Sequence, residues 1–405
     1  MTIKIVVIKT FIMFRKKMKY LNNICKLFEC NLGKKIPIKN KDKSMIFEDN
    51  TDFFSGETII KIIGFVNFLH EKYKRINMPI TFCFGNVKIA DKLSYILFEC
   101  ICYSLIVDYK HIVHIYWNPI DNIQTDGVFS SPLKLLNKGN VKSLKEYLNK
   151  FKLDIYRDHF RKIVDGKQKE QTNYLGNLFQ DLEIFLKYFN IDKESRNQIS
   201  EVITELVGNA CEHASSDCLL DIDVTHDHSK KVENIIQNGK FYGINIVIIN
   251  FSKILLGTNI KTKLYSNNIV STRYVDLFRA YQYHKTKFSN EYTEDDFCNI
   301  AALQDKISGR PKHDKSGGTG LTKLIHSLQE KSDMNSCYVV SGNHCILFLK
   351  DMLNYNEENW LGFNKDHNFM TAIPDEDVVV PCYAYIPGTA YNLNFIMRRE
   401  DDIDE

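Results

Sequence analysis

Residues 201–214 read Glu-Val-Ile-Thr-Glu-Leu-Val-Gly-Asn-Ala-Cys-Glu-His-Ala, and the fold turns on how this stretch is understood. Glu201, Glu205 and Asn209 recur every four residues, so on a helix they stack along one face. Ile199, Ile203, Leu206, Val207, Ala210 and Ala214 follow the i, i+3, i+4, i+7 rule and form the opposite, apolar face. Asp192 suits the N-cap, and Glu194 lies in the first turn, where the helix dipole favours an anion. The spacing therefore predicts a helix with one buried side and, on the other, a carboxylate one turn before an amide. Such a pair can orient a water and hold a hard cation such as Mg²⁺, which prefers oxygen ligands. On spacing alone a solvated polar face is the simpler explanation, so a second motif has to give the row its meaning.

That motif is Ser316-Gly-Gly-Thr-Gly-Leu-Thr-Lys-Leu-Ile. Leu321, Leu324, Ile325 and Leu328 have helical spacing, which puts the glycines directly before a helix N-terminus. Free N–H groups and the positive dipole end bind anions there, and the missing Cβ atoms let backbone approach phosphate oxygens.

Together these residues resemble the GHKL superfamily, the ATP-binding fold shared by gyrase, the ninety-kilodalton heat-shock chaperones, histidine kinases and mismatch-repair ATPases. Glu205 to Ala214 is similar to its N box, and Ser316 to Leu321 to its G2 box. Tyr385 to Ile396, with Gly388 and Thr389, is similar to the Gly-Thr strand that closes the sheet behind the adenine. The His-Ala ending of the N box most resembles the anti-sigma-factor serine kinases and their histidine-kinase-like relatives. The resemblance spans roughly residues 175–398.

The resemblance implies an α/β protein whose C-terminal part is a Bergerat-type α/β sandwich, a mixed sheet with helices on one face. It implies ATP and Mg²⁺ as cofactors. Asn209 would hold the Mg²⁺, and Glu205 would be catalytic, positioning or deprotonating water or a serine hydroxyl. Gly317, Gly318, Thr319, Gly320 and Leu321 would form the phosphate turn, and Thr389 would contact adenine. Histidine kinases do not need the glutamate, so its presence leans away from histidine phosphorylation.

The G1 box departs from the pattern. The matching segment runs from Gly243 through Asn250 and Ser252 to Gly257. Its strand is β-branched and bounded by turn residues, but Asn250 stands where the family has Asp, and Ser252 at the usual first glycine. An Asn oxygen still accepts a hydrogen bond from adenine. It lacks the charge that roughly doubles such a bond, so altered base selectivity is expected. Asn250 and Gly257 complete the expected cofactor-binding set.

Composition fits an enzyme-sized globular chain of 405 residues, with 44% hydrophobic and 25% charged residues. A net charge of +3, without a long basic run, argues against nucleic acid as a partner. Eleven cysteines are scattered without CxxC pairs, as expected of reduced thiols in a cytoplasmic protein. The apolar run Ile3–Met13 is too short to span a bilayer, and Arg15-Lys-Lys17 follows it, the wrong order for a signal peptide. No membrane partner is expected.

Along the chain, residues 1–50 read as a basic irregular arm. Residues 51–166 alternate helix and strand patterns, predicting a small N-terminal α/β domain with mostly parallel strands. The nucleotide domain is expected over 167–399, with a polar linker at 167–173, an elaborate lid at 265–316 and an insertion at 352–377. The acidic tail 400–405 reads as disordered. The preferred function is a Mg²⁺-ATP-dependent ATPase used as a switch in bacterial signalling or stress response. Two alternatives stand beside it: an anti-sigma-type protein serine/threonine kinase, and a non-catalytic nucleotide sensor or scaffold. A protein partner or substrate is expected in each case, and a homodimer is left open.

Overall fold

In a computed structural model, the described residues are 21–34, 36, 39–41, 44–73, 79–85, 87–117, 131–167, 173–214, 216–232, 235–266, 271–307, 320–332 and 337–398. The N-terminal part contains α1 (Cys25–Glu29), β1 (Lys39–Lys41), β2 (Ser44–Asp49), β3 (Phe53–Phe54), α2 (Gly56–Lys72) and β4 (Ile80–Phe84). It continues with β5 (Lys88–Ile89), α3 (Lys92–Val107), β6 (Val113–Trp117) and α4 (Val141–Lys152). Next come β7 (Leu153–Tyr156), β8 (His159–Val164), α5 (Tyr174–Lys187), α6 (Lys193–His213), β9 (Cys218–Val232) and β10 (Ile235–Phe251). The chain then forms α7 (Thr258–Tyr265), α8 (Thr272–Lys285), α9 (Glu294–Ala302), α10 (Gly320–Lys331), β11 (Tyr338–Leu347) and β12 (Val379–Arg398).

The protein is mixed α/β. A six-stranded sheet runs in the order β11-β12-β10-β9-β8-β7, and a four-stranded sheet in the order β1-β2-β4-β6. In the smaller sheet β2, β4 and β6 are parallel, as the alternation of helix and strand patterns predicts, with β1 antiparallel at the edge. The larger sheet is antiparallel throughout, where a mixed one was expected. For β7 and β8 the cause is connectivity, because a tight turn joins them and antiparallel neighbours need no crossover helix.

Two further expectations change. The segment 1–50 is not irregular over its described length, because Ser44–Asp49 alternates exposed and buried positions and pairs with β4 as an inner strand. The boundary expected at 166 falls beyond β7 and β8, which belong to the large sheet through pairing of β8 with β9. The first 20 residues, most of the 167–173 linker and the tail 400–405 lie outside the described residues.

The large sheet is covered on both faces. Its alternate residues Leu220, Ile222, Val224, Ile244, Ile246 and Ile248 join the α5, α6 and α10 core. The intervening residues Leu219, Val247, Ile249 and Phe251 join a second core with α2 and α3. Helix α3 is apolar nearly all round because it lies between the two sheets. Asn31 fastens the N-terminal layer by exchanging two hydrogen bonds with the Tyr385 backbone, 2.9 and 3.0 Å long.

The stretch expected as an insertion at 352–377 packs as core. Trp360, Phe363 and Phe369 are buried, the Arg273 guanidinium of α8 stacks 3.4 Å over the Trp360 ring, and Gln304 bonds both the N–H and C=O of Leu361. Among the described residues no helix is long and apolar enough to cross a membrane.

Candidate functional site

Helix α6 begins where the sequence places it, with the Asp192 carboxylate accepting from the Ser195 N–H at 2.8 Å. Ile199, Ile203, Leu206, Val207 and Ala210 are buried in the helical core, so the apolar face is used as its spacing requires. Glu205 and Asn209 are half-buried on the other side, and neither makes a hydrogen bond or ion pair among the described residues. Their oxygens form a donor set suited to a hard cation that keeps part of its water shell.

Helix α10 packs against α6 in the antiparallel sense: Lys323 pairs with Glu201 at 2.7 Å, and Lys331 contacts Gln198. Lys323, one turn into α10, thus lies level with Glu201, one turn before Glu205. Gly317, Gly318 and Thr319, with the lid end 308–316, lie outside the described residues. Leu321 is partly buried against the helical core.

The C-terminal end of α6 meets the end of β10. The Ser252 hydroxyl donates to the Ala214 carbonyl at 3.2 Å and accepts from the Ile254 N–H at 3.0 Å. Asn250 is buried, and its Nδ2 donates to Ser216 Oγ at 2.9 Å. Asn250 pairs across the strands with Thr389, so the two side chains share the sheet face that carries α6. Gly388 makes this possible. Its φ is +105°, and a Cβ there would lie 2.3 Å from the Asn250 carbonyl oxygen. Ser341 braces the corner by donating to the Gly388 carbonyl at 2.7 Å and accepting from the Leu256 N–H at 3.0 Å.

Gly257 has a packing explanation. A Cβ there would meet the Cys298 carbonyl carbon at 2.3 Å, and its N–H bonds Asn299 Oδ1 at 2.8 Å, so it lets the start of α7 lie against α9. Glu201 is exposed and paired with Lys323, away from Asn209. A shallow open depression lined by Lys193, Glu194, Asn197, Gln198 and Glu201 sits at the far end of the same helix.

The opposite sheet face carries a polar cluster that the sequence reading did not find. Lys92 of α3 places its ammonium 2.7 Å from Asp221 and 2.6 Å from Asp223, both on β9. Arg161 of β8 pairs with Asp221 and with Glu99 of α3, and His159 Nε2 lies 3.0 Å from Asp221. The Ser131 hydroxyl donates to Glu99 at 2.5 Å. All six charged side chains are buried. Burial opposes ionisation of Glu99, His159, Arg161, Asp221 and Asp223, and their neighbours decide the outcome. Asp221 is held well below the usual carboxylate range by Arg161, Lys92 and His159. For Asp223 and Glu99 burial prevails and raises the pKa, despite Lys92 and Arg161 respectively. Burial lowers His159, but Asp221 and hydrogen bonds to Asp154 and Asp221 outweigh it and lift the pKa to about 9.

His159, Asp221 and Asp223 have the spacing of a metal cluster. The Lys92 ammonium already bridges the two carboxylates, and Lys92, Arg161 and protonated His159 balance Glu99, Asp221 and Asp223. The cluster is a neutralised ionic clamp between α3 and the sheet. A signal for it was present: in Leu220-Asp-Ile-Asp-Val224 acids alternate with core residues, the pattern of a strand with one polar face.

No protein-family model, curated protein or solved structure matches the chain.

Proposed function

We propose that the protein binds Mg²⁺-ATP in a GHKL-type site on the α6 side of the large sheet and uses it as a conformational switch, with slow hydrolysis or phosphoryl transfer. On this reading the layer of α5, α6 and α10 corresponds to the helical face of a Bergerat-type sandwich, with two departures: the sheet is antiparallel instead of mixed, and its other face carries α2 and α3 where helices were expected on one face alone. The observation that carries the proposal is convergence. Asn250 and Thr389, far apart in sequence, pair at one end of the sheet beside the C-terminus of α6, while the first turn of α10 packs on α6 through Lys323 and Glu201, one turn before Glu205. The N, G1 and Gly-Thr motifs are separate in sequence, and an ATP site needs them adjacent; Gly317, Gly318 and Thr319 of the G2 motif lie outside the described residues.

In this site Asn209 would hold Mg²⁺, which when bound supplies charge neutralisation to the phosphates. Glu205, one turn away on the same face, would orient the attacking hydroxyl or water. The N–H groups at the start of α10 would receive phosphate oxygens. Thr389 and Asn250 would meet the base. A non-catalytic sensor is the second reading, favoured by the neutral Asn250 at the position of a charged acceptor.

A titration of wild type and Asn209→Ala with ATP, with and without Mg²⁺, tests binding, and turnover by Glu205→Ala tests chemistry. The expected result is saturable Mg²⁺-dependent binding, weakened about tenfold or more by Asn209→Ala, with turnover lost in Glu205→Ala while ATP is still bound. Wild type that shows no saturable ATP binding overturns the proposal. Binding without turnover in wild type selects the sensor.

A further inference from the structure

The recognition end of the site is built from neutral groups that can each reverse their hydrogen-bonding role. Asn250 presents an amide with a donor end and an acceptor end, and Ser216 a hydroxyl that can donate or accept. As placed, Asn250 Nδ2 donates to Ser216 Oγ, and Asn250 Oδ1 makes no hydrogen bond among the described residues. The Ser216 hydroxyl has no second partner there to fix its proton. Turning the amide over while the hydroxyl rotates preserves the bond between them. It exchanges an acceptor for a donor at the free end.

The neighbours do not lock the pair. Ser341 spends its proton on the Gly388 carbonyl, so in its 3.5 Å contact with Thr389 only Thr389 can donate, and that contact does not touch the Asn250–Ser216 pair. Asp217, the carboxylate next to Ser216, is committed to the Gly166 and Asn22 N–H groups at 3.0 and 3.2 Å. A carboxylate at position 250 would accept only, favouring a base with an exocyclic 6-amino group and repelling one with a 6-oxo group.

We infer that the Asn250–Ser216 pair makes the site tolerant of the purine base, taking 6-oxopurine nucleoside triphosphates as well as ATP. This rests on the nucleotide reading proposed above. Inosine triphosphate is the diagnostic ligand, because it carries the 6-oxo group without the extra 2-amino group of GTP.

The test is a set of Mg²⁺-nucleotide titrations with ATP, ITP and GTP on wild type, Asn250→Asp and Ser216→Ala at pH 8, each variant checked by its melting transition. Wild type is expected to bind ATP and ITP within about tenfold of each other. Asn250→Asp is expected to weaken ITP and GTP relative to ATP by a further factor of about ten or more. Ser216→Ala removes the shared anchor and is expected to weaken ATP and ITP alike. Wild type that binds ATP but takes ITP more than about a hundredfold more weakly overturns this inference alone, and so does an ATP:ITP ratio unmoved by Asn250→Asp. Failure of every purine triphosphate to bind overturns the nucleotide reading and this inference with it.

Discussion

The two faces of the large sheet bury polar groups in opposite ways. On the α3 face, six charged side chains neutralise one another around Lys92 and Asp221, and cation and anion numbers match once His159 is protonated. On the α6 face, Asn250, Ser216, Thr389 and Ser341 are neutral, and Glu205 and Asn209 keep oxygens uncommitted among the described residues. An ionic set of paired charges fixes how two layers sit together, because each charge left alone would be very unfavourable. A neutral set with spare donors and acceptors can exchange partners with a ligand at small loss. On the nucleotide reading proposed above, the buried charges of the α3 face serve the packing of α3 on the sheet, and a perturbed charge cluster does not by itself mark a binding site.

Removing the central cation tests this division most severely. Lys92→Met leaves Asp223 with His159 alone to balance it, and unfolding by denaturant is expected to show a loss of about 3–5 kcal/mol. Adding Asp223→Asn should recover part of that loss, because an amide needs no counter-charge. A loss below about 1 kcal/mol would mean that the α3 face is wet and the contrast is false.

The same clamp should respond to pH. The folded pKa of His159, about 9, lies above the ordinary value of 6.5, so its stabilisation is complete below 6.5 and is lost as pH rises through 9. The linkage is worth on the order of 3 kcal/mol. Unfolding free energies between pH 6 and pH 10 should fall in wild type and flatten in His159→Gln. Asn250, Ser216 and Thr389 carry no group that titrates in that window.

Much of the α6 face could be read from the chain. The cap at Asp192, the apolar stripe of α6 and the strands around Asn250 and Thr389 depend on local spacing, which sequence displays directly. The α3 face was missed because its partners come from three distant segments, α3, β8 and β9, and no local period announces that Lys92 will meet Asp221. The antiparallel order was missed for a similar reason, since it depends on which strands pair, and partners such as β10 and β12 lie far apart in sequence. Gly257 illustrates the converse: a glycine near a motif invited a ligand role, and its packing against Cys298 and Asn299 explains it without one.

Gly388→Ala sharpens the comparison from the α6 side. At φ +105°, and with its Cβ against the Asn250 carbonyl, alanine should lower stability by roughly 1–3 kcal/mol. Because the strain falls on the β10–β12 corner, nucleotide affinity should drop as well, whereas His159→Gln should leave affinity unchanged at pH 7 when both proteins are folded. A Gly388→Ala protein with wild-type affinity would separate that corner from the binding site.

The smallest effect belongs to the pair Lys323–Glu201, which spans α10 and α6 at 2.7 Å with both side chains about half exposed. Exposed pairs contribute roughly 0–1 kcal/mol because water already screens each charge and two long side chains must be ordered. Lys323→Ala should therefore shift unfolding by less than about 1 kcal/mol. The register of α10 on α6 should persist, because Leu324, Ile325 and Leu328 set it through the buried core. On the nucleotide reading proposed above, persistence is measurable as unchanged Mg²⁺-ATP affinity, since that register sets where the N–H groups at the start of α10 lie. A large loss of affinity in Lys323→Ala would place the control of the register in the surface ion pair and remove the apolar seam from that role.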